Sequence, residues 1–341
     1  MASVSSYKSM RQIGFTFIRD GEQYDYPFLE SFQSILGFCE ELYVAAGDSK
    51  DRTTEMLKTL DRTHLIHTKW DENLRTGGKI FAQQTNVALD AAKAEGGWGF
   101  CIQADELILE SDYEQIKSDV AYADANGYDA VRFRFFHFWE TYQKIAIEKR
   151  WYPQEIRAIK LTPQVQSSGD CQSFSGVTKV FDSDVTIHHY GHARSRAAYE
   201  AKKKYMHRWW HDDKTVLQLL KKSARRDPRE KTLRYLGPHP KLMAERIAEP
   251  DRPWADRVFL VGNPLEYSEL SPRIRAKKVD WGTSANEFDG QGTLVLLEPT
   301  WLQNIFNRSK VKAAMRSEIA RPWTKQTKAI LRLSEKGIWV D

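Results

Sequence analysis

Short apolar runs alternate with segments of helical period over the first 140 residues, and this alternation leaves few architectures open. Residues 13–18 are apolar and end in the polar turn Arg19-Asp20-Gly21, which predicts a strand followed by a turn. Residues 27–39 place Phe28, Leu29, Phe32, Ile35, Leu36 and Cys39 at helical spacing. A strand is expected over 41–46, a helix with acidic residues in its first turn over 51–60, and a third strand over 63–68. The helix expected over 77–94 carries Ile80, Phe81, Gln84, Val87, Ala88 and Ala91 on one stripe. A fourth strand follows at 98–102, then a helix capped by Ser111-Asp112 and running to about 125, then a strand over 128–138. Such a series predicts an α/β fold, with a mixed, mainly parallel sheet flanked by helices.

Past Glu140 the pattern is less regular. Short strands are expected at 156–161, 177–181 and 185–188, then a long polar helix over 197–225 broken near His211-Asp212-Asp213. A weaker pattern follows: residues 254–261, an acidic, glycine-containing loop at 280–292, a strand at 294–297, and then helices. The proline-rich stretch 237–253 is the cleanest boundary. It separates an α/β domain, 1–236, from a mostly helical basic extension, 237–341.

A chain of 341 residues with 41% hydrophobic and 28% charged residues can bury a sizeable core and is not of disordered composition. No apolar run approaches the roughly 20 residues that span a bilayer, and Met1-Ala2-Ser3-Val4-Ser5-Ser6 lacks the apolar core of a signal peptide. Cys39, Cys101 and Cys171 are odd in number and widely spaced, without a C-x-x-C pair. Buried thiols in a reducing, cytoplasmic compartment are therefore expected rather than a zinc–thiolate site. The net charge of +5 is unevenly spread: residues 202–234 hold twelve Lys and Arg against four Asp and Glu, and residues 301–341 hold nine against three. Two readings stay open, solvated helix faces or attraction to an anion such as a nucleotide diphosphate, a phospholipid surface or nucleic acid.

Two acidic segments stand at strand ends. Gly47-Asp48-Ser49-Lys50-Asp51-Arg52-Thr53-Thr54 follows the run 42–46, and Gln103-Ala104-Asp105-Glu106 follows the run 98–102. Open α/β sheets place their ligand crevices at the carboxyl ends of strands, and carboxylates gathered there suit a hard divalent cation and ribose hydroxyls. A third segment, Ile187-His188-His189-Tyr190-Gly191-His192-Ala193-Arg194, sets three histidines within five residues after a strand. Imidazole is a good ligand for Mn2+, and strand alternation turns His188 away from the face of His189.

The order of these segments resembles the family 2 glycosyltransferases of GT-A fold, a Rossmann-like nucleotide-diphospho-sugar transferase architecture, over residues 11–215. The resemblance rests on Asp48, Asp51, Gln83-Gln84-Thr85-Asn86-Val87-Ala88-Leu89-Asp90, Asp105-Glu106 and the Ile187 to Gly191 segment. It implies transfer of a sugar, of hexosyltransferase type, from a UDP- or GDP-type donor with Mn2+ or Mg2+ against the diphosphate. Asp105 matches the family's direct metal ligand, and His189 would complete the metal shell. Gln103 stands where the family's Asp-x-Asp triplet has its first carboxylate, so it can hydrogen-bond ribose but adds no charge; Ala104 lies within the triplet. Glu106 follows, beside the metal or toward the acceptor. Asp48 matches the carboxylate beside base and ribose; Asp51 is either its companion or a helix cap. Arg19 and Asp20 correspond by position to base contacts. Lys79 either reaches the diphosphate or is an exposed helical lysine, and Arg194 with Lys202, Lys203 and Lys204 would grip the diphosphate.

A general base must reach the acceptor hydroxyl, and Glu140, Glu155 and Asp170 are the candidates. The family's Glu-Asp pair is not recognisable, and Glu155 with Arg157 can equally be a structural ion pair. The aromatic residues Phe133, Phe135, Phe136, Phe138, Trp139, Trp151, Trp209 and Trp210 are expected in the core, a few facing an acceptor sugar. Three functions follow. The first is a metal-dependent glycosyltransferase of polysaccharide or lipid-linked glycan synthesis, its basic C-terminal region (Trp301, Leu302, Ile305, Phe306, Arg308, Lys310, Lys312) docking on an anionic membrane. The second is a glycosyltransferase acting on modified bases of DNA, and the third a degenerate GT-A domain that binds without catalysis. A nucleotidyltransferase would need a glycine-rich basic loop where Arg19-Asp20-Gly21 stands.

Overall fold

The computed structural model of the chain describes residues 10–146, 150–169, 173–194, 196–224, 232–235, 237–247, 331–334 and 337–340. The elements in order are β1 (Gln12–Ile18), α1 (Phe28–Leu36), β2 (Glu41–Ala46), α2 (Thr53–Leu57), β3 (Thr63–His67), α3 (Lys79–Lys93) and β4 (Trp98–Cys101). Then come β5 (Glu106–Leu107), α4 (Tyr113–Ala125), β6 (Ala130–Trp139), β7 (Lys144–Ala146), β8 (Gln154–Lys160), β9 (Gln166–Ser168), β10 (Ser173–Ser175) and β11 (Val180–His192). The last are α5 (Arg196–His207), α6 (Asp213–Ala224), β12 (Thr232–Arg234), α7 (Ala244–Ile247), β13 (Leu331–Ser334) and β14 (Gly337–Val340). They fall into two compact units: one lies within Met1–Arg134, Glu155–Pro228 and His239–Ala248, the other within Phe135–Gln154, Arg229–Pro238 and Glu249–Asp341.

The first unit is the α/β sheet that the alternation predicts. β3, β2, β1 and β4 lie side by side in parallel, with Phe15 opposite Tyr43 on one flank and Cys101 on the other. β8 then runs antiparallel to β4, with β6 beyond it. β1 is buried along nearly its whole length because helices cover both faces, which is why it reads as one apolar run. Ala88, Leu89 and Ala92 of α3 bury against Ile13, Phe15 and Ala45. Gly14 lets α1 approach: a Cβ there would stand 2.9 Å from Ile35 Cδ1 and 2.9 Å from Leu42 Cδ1. A second cluster joins Trp70, Ile80, Phe81 and Trp209.

Three expectations are corrected. The two short strands expected within 177–188 are one strand, β11, because Asp182 and Asp184 pair across to Arg132 (2.7 Å) and Arg134 (2.5 Å) of β6 and continue the strand through a polar stretch. Cys39 is a buried free thiol, whereas Cys101 is disulfide-bonded. Residues 331–334 and 337–340 pair as antiparallel strands where helices are expected; Ile338-Trp339-Val340 carries the β-branched and aromatic residues of a strand. Residues 248–330 of the C-terminal region, including Trp301 to Lys312, lie outside the described residues, as do Asp170 and Cys171.

In the second unit β12 pairs antiparallel with β7, which pairs with the end of β6. Its aromatic residues pack on one another: Phe138 meets Tyr235 at 5.0 Å, His137 meets Tyr152 at 4.5 Å, and Trp139 meets Trp151 at 5.7 Å. Among the described residues no helix is long and apolar enough to cross a membrane.

Candidate functional site

The carboxyl ends of β1, β2 and β4 carry the acidic segments, and β5 and β11 close the site from the side. After β4 the chain turns at Gln103 to Glu106, with the Glu106 amide donating to the Gln103 carbonyl at 3.0 Å. Glu106 then opens β5 opposite His189, and the Tyr190 amide donates to the Asp105 carbonyl at 2.7 Å. This pairing brings two segments distant in sequence together and sets the Asp105 carboxylate 3.6 Å from His189 Nε2. Gly191 makes the approach possible, since a Cβ there would lie 2.4 Å from His189 Nε2 and 2.7 Å from Asp105 Oδ2.

From α5, the buried Lys202 ammonium donates to Asp105 Oδ2 and to the Gly191 carbonyl, both at 2.9 Å. It also lies 4.4 Å from the Tyr26 ring centroid, and the Arg194 guanidinium lies 5.0 Å from the same ring. Arg194, itself buried, donates to the Tyr24 carbonyl. Burial alone would raise the Asp105 pKa, but the Lys202 ammonium and His189 outweigh it and hold the carboxyl well below its ordinary range. Burial lowers Lys202 to about 8, with Asp105 acting against it. Burial also lowers His189, so its imidazole is neutral at neutral pH.

Glu106 does not face this cluster. Its carboxylate is clamped by Arg157 and also accepts from the Gln103 amide at 3.1 Å, so it holds the turn from behind. Gln103 is partly exposed, and its carbonyl accepts from Ser31 at 2.9 Å; Ala104 is buried within the turn.

At the ends of β1 and β2, Arg19 is buried among carboxylates: Asp48 at 3.3 Å, Asp20 at 3.6 Å and Glu72 at 2.8 Å. Its guanidinium lies over Trp70 (5.5 Å) and Trp209 (5.9 Å). Asp20 adopts φ of 54° and ties the two loops, donating its amide to Ser49 Oγ at 3.0 Å and accepting from the Lys50 amide at 2.7 Å. Asp48 and Glu72 are the exposed carboxylates of this group, Asp20 the buried one. Asp51 lies one residue before the N-cap of α2, accepting from the Thr53 amide at 3.0 Å and from the Gln23 amide at 2.7 Å. Lys79 is exposed at the first position of α3.

Of the base candidates, Glu155 lies half-buried on β8 two residues before Arg157, and Glu140 is exposed in the second unit beside Lys144 at 3.2 Å. Sequence reasoning missed Tyr26 and the roles of Gly191 and Arg157. The pair Tyr24 and Tyr26, set in a polar loop directly after a strand end, is the local signal for the first of these.

Asp105 and His189 are the two donors that Mn2+ or Mg2+ would use, and among the described residues no group of three or more His, Cys, Asp or Glu gathers for a metal. As placed, the cluster does not fit a divalent cation. Ligand oxygens would have to lie at about 2.0–2.1 Å from Mg2+, while Asp105 Oδ2 is already held by an ammonium.

Fold and site together define a mixed α/β chain with a buried carboxylate, ammonium and imidazole cluster at the carboxyl ends of its parallel strands. No protein-family model matches the sequence, and no curated protein matches it. Among solved structures, the chain is similar to S. aureus TarS 1–349 in complex with UDP-GlcNAc, at 15% identity and TM-score 0.37 over 62% of this chain and 70% of that one. It is similar to the mannosyltransferase PcManGT from Pyrobaculum calidifontis in complex with GDP-Man and Mn2+, at 15% identity and TM-score 0.36 over 65% and 66%. UDP-glucose pyrophosphorylase complexed with UDP-glucose is a further likeness, at 11% identity and TM-score 0.32 over 58% and 98%. Likenesses this distant carry no argument about what this chain does.

Proposed function

We propose that the chain is a nucleotide-sugar transferase of GT-A type, related to the family 2 glycosyltransferases. The observation that carries the reading is the ionised, buried Asp105 after the central strand β4, held between Lys202 and His189, with Arg194 against the same Tyr26 ring as Lys202. Buried cations at the carboxyl end of a parallel sheet suit a diphosphate, and the exposed Asp48 after β2 suits ribose hydroxyls. In this reading the diphosphate of a UDP- or GDP-type donor lies against Lys202 and Arg194. The bond from the anomeric carbon to phosphate breaks, and the acceptor hydroxyl attacks that carbon while a carboxylate takes its proton. Glu155 is the described candidate for that base in the same unit as Asp105. The acceptor is a hydroxyl of a glycan or lipid-linked glycan. A Mn2+ or Mg2+ ion would reach Asp105 only by displacing the Lys202 ammonium.

Thermal unfolding of the full chain with UDP, GDP, CDP and TDP and their sugars tests the reading. One nucleotide series is expected to raise the Tm of the wild type and not that of Asp105→Asn. No shift with any nucleotide would favour a binding or scaffold protein.

A further inference from the structure

We propose that Lys202 is the resident cation of this site, taking the charge-neutralising place of a divalent metal, so that the chain binds a nucleoside diphosphate without metal. The inference rests on the nucleotide-sugar reading above.

Three observations carry it. First, the ammonium is built into the fold. Lys202 is 8% exposed, it satisfies Asp105 Oδ2 and the Gly191 carbonyl at 2.9 Å each, and the Tyr26 ring lies against it at 4.4 Å. An adventitious surface lysine has no such set of partners, and its neighbour Lys204 is exposed. Second, the space beside Asp105 is already filled to contact. His189 Nε2 stands 3.6 Å from Oδ1, and even one more carbon at Gly191 would press on both groups. A divalent ion on Asp105 would add two positive charges beside an ammonium in a dry site, where like charges repel most strongly. Third, the local charge has the sign that calls for an anion. Two cationic side chains, Lys202 and Arg194, lie buried against the Tyr26 ring, and Asp105 pairs with one of them. The other buried cations among the described residues are satisfied separately, Arg157 by Glu106 and Arg19 by Asp20, Asp48 and Glu72. One positive charge is thus left over, and a diphosphate supplies the counter-charge directly through charge-assisted hydrogen bonds.

The assignment also gives Gln103 a reason. A site that holds its own monovalent cation needs one carboxylate, so the triplet position occupied elsewhere by a second carboxylate can be an amide.

Isothermal titration of the full chain with UDP and with GDP, in EDTA and in Mn2+, tests the proposal. The wild type is expected to bind one of them in EDTA within about threefold of its affinity in Mn2+. Lys202→Met is expected to lose at least about tenfold in EDTA, the loss of one charged hydrogen bond, while Lys202→Arg retains part of the affinity. Binding that requires Mn2+ overturns the inference and leaves the nucleotide-sugar reading standing. No binding of either nucleotide under both conditions overturns the reading itself. A measurement independent of any variant uses the paramagnetic resonance signal of Mn2+ alone. The wild type is expected to leave that signal undiminished, and stoichiometric depletion that disappears in Asp105→Asn would overturn the proposal.

Discussion

Arg157 and Glu106 form a bidentate ion pair with neither side chain exposed: Nη2 donates to Oε1 at 2.6 Å and Nε to Oε2 at 2.8 Å. The pair lies behind the turn that presents Asp105, and the Gln103 amide adds a third bond to the same carboxylate at 3.1 Å. β8 thereby fixes the position of a side chain on the far side of the turn.

Removing one partner leaves a buried charge uncompensated. Arg157→Met is expected to cost about 3–5 kcal/mol, and Glu106→Leu a similar amount. The double variant Glu106→Leu/Arg157→Met should lose well under the sum, because no charge is left stranded. Urea denaturation of the four proteins measures this as a double-mutant cycle; additive losses would show that the pair is not coupled.

Gly191→Ala should separate binding from stability. Its Cβ would press on His189 Nε2 at 2.4 Å and Asp105 Oδ2 at 2.7 Å, for an overpacking cost of about 1–3 kcal/mol. Nucleotide affinity should fall by at least about tenfold as the two groups are pushed apart, with a modest fall in Tm. Titration and thermal unfolding check the two effects separately, and unchanged affinity would place the ligand elsewhere.

Arg19 pairs with Asp20, Asp48 and Glu72 where the β1 and β2 loops meet, and Glu72 also accepts from Arg208. Asp48 and Glu72 are well exposed, so solvent screens part of the interaction. Arg19→Met is accordingly expected to cost about 1–3 kcal/mol, less at high salt. Denaturation at two ionic strengths would reveal the difference.

Asp119 carries a pH dependence. Burial raises its pKa above the ordinary value, against hydrogen bonds from Ser183 at 2.5 Å and Gln115 at 2.7 Å. A carboxyl whose folded pKa is raised favours folding most below its unfolded pKa, and that contribution is lost as pH rises through the folded value. Asp119→Asn should therefore lose more stability relative to wild type in acid than at neutral pH. Tm measured for both proteins from pH 3.5 to 7.5 shows this as a narrowing gap with rising pH.

The sheet was legible where burial leaves an unbroken signature. β1, β2 and β4 are covered on both faces and read as apolar runs closed by polar turns. The break between α5 and α6 was legible at His211-Asp212-Asp213, where Asp212 accepts from the Thr215 amide at 2.8 Å and caps the second helix. β11 was not, because its polar middle is sustained by Arg132 and Arg134 on another strand. Arg157 and Glu106 are 51 residues apart, and nothing local to either announces the other. Lys202 is one of three consecutive lysines, and helical rotation selects which of them turns inward. That selection depends on where α5 docks, so the strand-end carboxylate could be read from sequence and its cation could be singled out only in three dimensions.

Release of nucleoside diphosphate from a panel of nucleotide sugars, by the wild type and by Asp105→Asn, decides whether Asp105 serves a nucleotide-sugar transferase. Turnover of one donor class by the wild type is expected, with a fall of about a hundredfold or more in Asp105→Asn that its unfolded fraction does not explain. Release from no donor, or equal release by both proteins, would contradict that role.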